Sequence, residues 1–182
     1  MAETTIAVVV VTYNRKKLLT ECLDAILAGT RLPDKIILID NGSTDNTPEF
    51  LKEEGYLKNL LVDYIRLPEN TGGAGGFHAG VKYGYEAGYD WLWLMDDDAA
   101  PEADALEKLI NYCHEPDVSA LANLKLDLAG DILHPHIGFF ERKNNQNDFD
   151  FDVEIHKKVE KELIENNQVL EIAFSSFVGL LV

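Results

Sequence analysis

The chain has 182 residues, 46% of them hydrophobic, which suits one domain of ordinary size with a substantial core. Lys and Arg number 16 against 32 Asp and Glu, a formal net charge of -16. That balance excludes a general attraction to phosphate backbones or to anionic lipid, and argues against a nucleic-acid binder.

The elements follow in chain order. Ile6 to Val11 is a continuous β-branched and apolar run, the pattern of a strand buried on both faces. Asn14 offers a helix cap, and Leu18, Leu19, Cys22, Leu23, Ile26 and Leu27 follow at helical spacing. Lys35 to Ile39 predicts a second buried strand ending at Asp40, then a cap-rich turn over Asn41 to Asp45 and a short helix with Pro48 near its start. Leu60 to Leu67 reads as a third strand, Pro68 to Gly73 as a loop, and about Ala74 to Ala87 as a helix. Tyr89 to Met95 is the fourth strand, followed by Asp96, Asp97 and Asp98; Pro101 then opens a helix carrying Leu106, Leu109 and Ile110. This alternation predicts an α/β fold, a mostly parallel sheet with helices on both faces.

Beyond residue 117 the pattern changes. Val118 to Leu128 is expected to be a strand, Gly130-Asp131 a turn, Ile132 to Phe140 a returning strand, Glu141 to Asp152 a polar surface loop, and Val169 to Phe174 a further strand. The division expected is therefore 1–115 and 116–182. The apolar run from Phe174 to Val182 ends in mid-element, as at a cut, so the chain is expected to be the N-terminal piece of a longer protein, 116–182 beginning its second half. Cys22 and Cys113 lie far apart without CxxC spacing, as reduced packing residues of a cytoplasmic protein. The first ten residues lack a basic segment of the signal-peptide kind, and no apolar run approaches a membrane span.

Ligands of such sheets bind at the carboxyl ends of the strands. Three polar clusters fall there: Thr12-Tyr13-Asn14-Arg15, Asp40-Asn41-Gly42-Ser43, and the aspartate triplet. Three carboxylates at the tip of an apolar strand repel one another unless a cation offsets them, and oxygen ligands suit Mg²⁺ or Mn²⁺. A divalent ion there would bridge two phosphates and neutralise a departing diphosphate. Alternate residues point the same way in an extended segment, so Asp96 and Asp98 are the pair expected on the metal. Asp98 capping the next helix is the plainer alternative.

The cluster Gly72-Gly73-Ala74-Gly75-Gly76 allows close approach of a ligand at a helix start, or equally close helix packing. It is neither a Walker loop nor a dinucleotide fingerprint, since His78 stands where a third glycine belongs. Asp40 either accepts from a base or ribose or caps the next turn. Tyr13 either stacks on a base or packs. His134-Pro135-His136 has no acidic partner nearby in sequence and reads as a surface or strand pair.

Four segments in order, Val10-Val11-Thr12-Tyr13-Asn14-Arg15, Ile39-Asp40-Asn41-Gly42-Ser43-Thr44-Asp45, Asn70-Thr71-Gly72-Gly73-Ala74-Gly75-Gly76 and Leu94-Met95-Asp96-Asp97-Asp98, resemble a family 2 glycosyltransferase of the GT-A (Rossmann-like) fold. The last two segments look most like the galactofuranosyl- and rhamnosyltransferase-type members. The resemblance spans about residues 5–115. It implies inverting transfer of a sugar from a UDP- or dTDP-sugar to a saccharide or lipid-linked saccharide acceptor, in the cytoplasm or at the inner face of the membrane. It implies that Thr12, Tyr13 and Asp40 line the base pocket, with Asn14 and Arg15 beside them, and that Asn70, Gly72 and Gly73 border the nucleotide or sugar. Asp96 would face ribose or diphosphate, Asp98 would ligate Mn²⁺ or Mg²⁺, and Asp97 would share either role or bind the sugar. Inverting transfer needs a general base, which the family carries beyond the segment that Gly179-Leu180-Leu181 resembles; it is expected past Val182. Two other readings stay open. A sugar-nucleotide nucleotidyltransferase needs a glycine-rich basic loop directly after strand one, where Thr12-Tyr13-Asn14-Arg15 stands. The other is a nucleotide-binding module without catalysis.

Overall fold

The computed structural model describes residues 4–115, 118–123, 125, 127, 129, 137–138, 141–142, 149–150, 174–175 and 179–182. Four strand–helix repeats come first: β1 (Ile6–Thr12), α1 (Lys16–Leu27), β2 (Lys35–Asp40), α2 (Thr47–Glu53), a 3-10 turn (Tyr56–Lys58), β3 (Val62–Arg66), α3 (Gly72–Ala87), β4 (Trp91–Asp96) and α4 (Ala105–Ile110). Short strands follow: β5 (Leu121–Ala122), β6 (Ile137–Gly138), β7 (Glu141–Arg142), β8 (Phe149–Asp150), β9 (Phe174–Ser175) and β10 (Leu180–Leu181).

The main sheet has six strands in the order β3-β2-β1-β4-β10-β5. β1 pairs in parallel with both β2 and β4, and β2 with β3; β10 runs antiparallel between β4 and β5. Alternation along β1 divides the core. Ile6, Val8 and Val10 pack with Leu19, Leu23 and Ile26 of α1, Leu51 of α2 and Leu106 and Leu109 of α4. Ala7, Val9 and Val11 face the other way and pack with Phe77 of α3. Every residue of β1 is buried, as a strand covered on both faces must be. Each fully buried branched side chain contributes about 1.5–3 kcal/mol, which is why an unbroken apolar run sits at the sheet centre.

Gly76, Gly80 and Gly84 form the inner stripe of helix α3 and face the sheet. A Cβ on Gly80 would fall 2.3 Å from a methyl of Val9, and one on Gly84 2.4 Å from a methyl of Leu92.

Several boundaries differ from the sequence expectation. Asn14 is not the cap of α1: Arg15 holds that position without a side-chain cap bond. Asn14 instead adopts a left-handed backbone, φ 56°, and its side chain accepts from the Thr44 N–H at 2.7 Å. Helix α3 begins at Gly72 rather than Ala74, and α4 begins at Ala105, four residues past Pro101, with Asp104 at its N-cap position. Asp98 therefore does not cap that helix. The strand expected over Val118 to Leu128 is confined to Leu121–Ala122 among the described residues. The polar stretch Glu141 to Asp152 contains a paired segment, Glu141–Arg142 antiparallel to Phe149–Asp150. β6 and β9 likewise pair, where returning strands were expected. The Gly130-Asp131 turn and the His134–His136 pair lie outside the described residues.

The chain forms two units, Met1–Asn123 with Phe177–Val182, and Leu124–Ser176. Among the described residues no helix is long and apolar enough to cross a membrane.

Candidate functional site

The strand order reverses at β1: β2 and β3 lie to one side, and β4 to the other. At such a switch point the loops leaving adjacent strands diverge and open a crevice at the carboxyl edge. Register puts the candidate residues in one row across that edge. Thr12 pairs with Asp40, Asp40 with Arg66, and Val11 with Asp96.

The β1–α1 and β2–α2 loops are stitched together by side chains. The Asn14 N–H donates to Ser43 Oγ at 3.0 Å, and Asn14 Oδ1 accepts from Thr44. Asp40 is fully buried, and both of its oxygens are engaged. Oδ1 accepts from the Ser43 N–H at 2.8 Å, closing a turn, and Oδ2 accepts from the Tyr64 hydroxyl. Burial, and then the Asp40 carboxylate, push the Tyr64 hydroxyl well above the usual phenol value. Arg66 donates to the Ser43 carbonyl at 2.7 Å and stands 3.8 Å from Asp40.

Asn41, which sequence reasoning left unassigned, is the anchor of the glycine-rich loop. It is 2% exposed. Its Nδ2 donates to Asn70 Oδ1 at 3.1 Å and to the Gly72 carbonyl at 2.9 Å. Its Oδ1 accepts from both the backbone and the hydroxyl of Thr71, each at 3.0 Å. Asn70 in turn accepts from the Gly72 N–H at 2.8 Å. Gly42 lets the two loops meet: its φ is +78°, and a Cβ there would lie 2.7 Å from the Glu69 backbone. A buried Asn two residues before a Ser in a strand-end turn was the available signal, and nothing local says which loop it reaches.

The glycine cluster divides into two roles. Gly72 and Gly73 lead into α3 with nothing within 4 Å of an added Cβ, whereas Gly76 faces Val11 at 2.5 Å. The first two leave an open approach to the helix start; Gly76 belongs to helix–sheet packing.

The three aspartates meet different surroundings. Asp97 is buried, accepts from Thr12 Oγ1 at 2.6 Å, and receives Arg15 Nη1 at 3.3 Å. Asp98 is half exposed and receives the same Nη1 at 2.9 Å. Asp96 is half-buried, and its carboxylate accepts no hydrogen bond from any described residue. Burial raises the Asp96 carboxyl above the usual range, Asp98 and Asp97 add to this, and Arg15 opposes it. Burial also raises Asp97, against the hydrogen bond from Thr12 and the charge of Arg15. Beneath them Cys22 Sγ donates to the Asp96 carbonyl at 3.8 Å. Burial, then Asp97, Asp98 and Asp96, push its thiol up to about 12, so it stays protonated and inert. Tyr13 stands at the same edge, 40% exposed.

Oxygen-only donors in a crowded anionic setting fit a hard divalent cation. Among the described residues no three His, Cys, Asp or Glu side chains converge as a finished cage.

A glycosyl transferase family 2 model matches residues 7–158. The chain is 34% identical to galactofuranosyltransferase GlfT1 of Mycolicibacterium smegmatis over 124 residues, which is 68% of this chain and 40% of that one. It is 39% identical to the Mycobacterium tuberculosis protein of that name over 111 residues, 60% of this chain and 36% of that one. The chain thus spans about two fifths of the length of these relatives. Among solved structures it resembles a mannosyltransferase from Pyrobaculum calidifontis in complex with GDP-Man and Mn²⁺, with TM-score 0.60, 25% identity and coverage of 69% and 36% of the two chains. It shares the fold of S. aureus TarS in complex with UDP-GlcNAc, with TM-score 0.58, 22% identity and coverage of 69% and 36%. The six-stranded mixed sheet flanked by helices is thus of the GT-A type.

Proposed function

Because this chain belongs to glycosyl transferase family 2, we propose that it is the donor-binding part of an enzyme that moves a sugar, with inversion, from a UDP- or dTDP-sugar to a saccharide or lipid-linked saccharide. The observation that carries this reading is the aspartate triplet at the β1/β4 switch point, where, among the described residues, Asp96 is uncommitted and Asp98 is held by an exposed arginine. Tyr13 offers an exposed ring for base stacking. Thr12, Asn14 and Asp40 shape the base pocket from behind, through Asp97, Thr44 and Ser43. Asn70, Gly72 and Gly73 border the nucleotide or sugar at the start of α3, whose first N–H groups favour anionic oxygens.

Asp96 and Asp98 would hold Mn²⁺ or Mg²⁺, with Asp97 fixing the strand tip behind them. The ion would supply charge neutralisation for the departing diphosphate. The use of a divalent ion is supported by the similar mannosyltransferase structure, which is in complex with GDP-Man and Mn²⁺. The base that takes the acceptor's proton is assigned to none of these residues, and because the match covers 40% of the relative's length the transfer step is proposed to need residues beyond the donor site. Two buried free cysteines, Cys22 and Cys113, fit the reducing, cytoplasmic setting proposed here.

Calorimetric titration with UDP, dTDP and GDP, each with and without Mn²⁺, tests the proposal. UDP or dTDP should bind in the presence of Mn²⁺, and Asp98→Asn should weaken that binding by about tenfold or more, the loss of one charged ligand. Equal binding with and without metal, unchanged in Asp98→Asn, would overturn it. The 182-residue chain should hold donor without efficient sugar transfer, and rapid turnover by it would refute that part alone.

A further inference from the structure

Arg15 meets the triplet in a lopsided way. One nitrogen, Nη1, serves both Asp98 at 2.9 Å and Asp97 at 3.3 Å. This is not the two-pronged geometry that makes a guanidinium–carboxylate pair strong. Arg15 and Asp98 are about half exposed, 52% and 49% for their side chains, so water competes for both. Asp97 differs: its side chain is 5% exposed and is pinned by Thr12 at 2.6 Å. The backbone beneath Arg15 is fixed by the Asn14 contacts to Ser43 and Thr44. The pivot is rigid, one carboxylate is fixed, and the Arg15–Asp98 contact is the weak one. Among the described residues Arg15 is the cation that lies within ion-pair distance of the triplet.

We propose, on the reading of Asp96 and Asp98 as metal ligands, that Arg15 is a displaceable counter-cation: it occupies Asp98 in the free protein, leaves it when a divalent cation binds, and passes to the anionic diphosphate that arrives with the metal. A dication and a guanidinium cannot share Asp98 closely, because their own repulsion outweighs what a second cation gains there. Metal alone must therefore displace Arg15 from Asp98, leaving it Asp97 and water as partners. Metal with a diphosphate gives Arg15 a new partner. Each ligand favours the state in which Arg15 is released, so each tightens the other. In a molecule of net charge -16 this coupling offsets part of the charge of the acidic tip in the free protein, and it makes Arg15 a positioning residue for the donor diphosphate.

The test is Mn²⁺ binding, read from the free-ion paramagnetic resonance signal, with and without saturating UDP. Wild type is compared with Arg15→Gln and Arg15→Lys. Without nucleotide, Arg15→Gln should bind Mn²⁺ about fivefold tighter than wild type, the worth of an exposed ion pair removed from competition. Arg15→Lys keeps the charge and should stay close to wild type. UDP should tighten Mn²⁺ binding more in wild type than in Arg15→Gln. Arg15→Met, which keeps the aliphatic stem, repeats the test where Gln impairs folding. Unchanged or weaker Mn²⁺ binding by Arg15→Gln would overturn the proposal, since a residue that merely shapes Asp98 for the metal gives that result. Absence of Mn²⁺ binding by both proteins, with and without UDP, would instead strike down the metal reading on which it rests.

Discussion

At the strand tip three neighbouring aspartates carry three different loads. Asp97 turns inward to Thr12, Asp98 outward to Arg15, and Asp96 has neither. Burial and the two neighbouring carboxylates raise Asp96 above the usual carboxyl range. A carboxyl with a raised folded-state value favours folding when protonated. That advantage is present at low pH and is lost as pH rises from the unfolded value through the folded one. Above that window the ionised group is a net cost to the metal-free chain. Asp96→Asn keeps the neutral form throughout. Its melting temperature relative to wild type should climb as pH rises from the acid range to neutrality, while Mn²⁺-dependent stabilisation disappears. Thermal melts across that range, with and without Mn²⁺, check both halves; a variant less stable than wild type at neutral pH without metal would be the contrary result.

At the scale of elements, helix α3 joins two functions in one glycine-rich segment. Its inner stripe, Gly76, Gly80 and Gly84, lets the helix settle onto β1, β2 and β4. Its start, Gly72 and Gly73, is open and is hung from Asn41 through Asn70 and Thr71. Substitutions should separate the two. Gly80→Ala drives a methyl to 2.3 Å from Val9 and should cost about 1–3 kcal/mol in denaturant unfolding. Gly73→Ala meets nothing and should be neutral or stabilising by a few tenths to about 1 kcal/mol, yet weaken UDP binding by crowding the approach to the helix start. If Gly73→Ala bound donor normally, the open start of α3 would not border the ligand. The cluster from Gly72 to Gly76 was legible in the sequence, with ligand approach and close helix packing as its two readings. Which glycines touched the sheet was not, because helix phase relative to a sheet is set by packing against residues far away in the chain.

For the whole molecule, the charge of -16 and the anionic donor proposed for it pose one problem. Self-repulsion of the folded chain is relieved by salt. Raising NaCl from about 50 mM to about 500 mM should therefore raise the melting temperature of the metal-free chain. At matched ionic strength millimolar Mn²⁺ should add a further rise in wild type but not in Asp98→Asn, because only specific binding to the native state gives that increment. Equal Mn²⁺ effects in the two proteins would mean that screening alone is at work.

Local chemistry determined much of this. Buried apolar runs alternating with amphipathic helices specified a mostly parallel sheet with helices on both faces, and strand ends rich in Thr, Asn and Asp marked the edge where a ligand is proposed to lie. Those features are written in single segments, since burial on both faces and helical period are properties of consecutive side chains. The tertiary structure decided what depends on distant segments meeting. It turned Asn14 from a helix cap into a clasp on Thr44, and made Asn41 the anchor of a loop some thirty residues away. It brought Leu180–Leu181 back between β4 and β5, and set Arg15 against Asp98 rather than leaving that aspartate to cap a helix. A side chain's hydrogen-bond partner is chosen by whichever group the fold brings within about 3 Å, and that choice is not encoded in its neighbours along the chain.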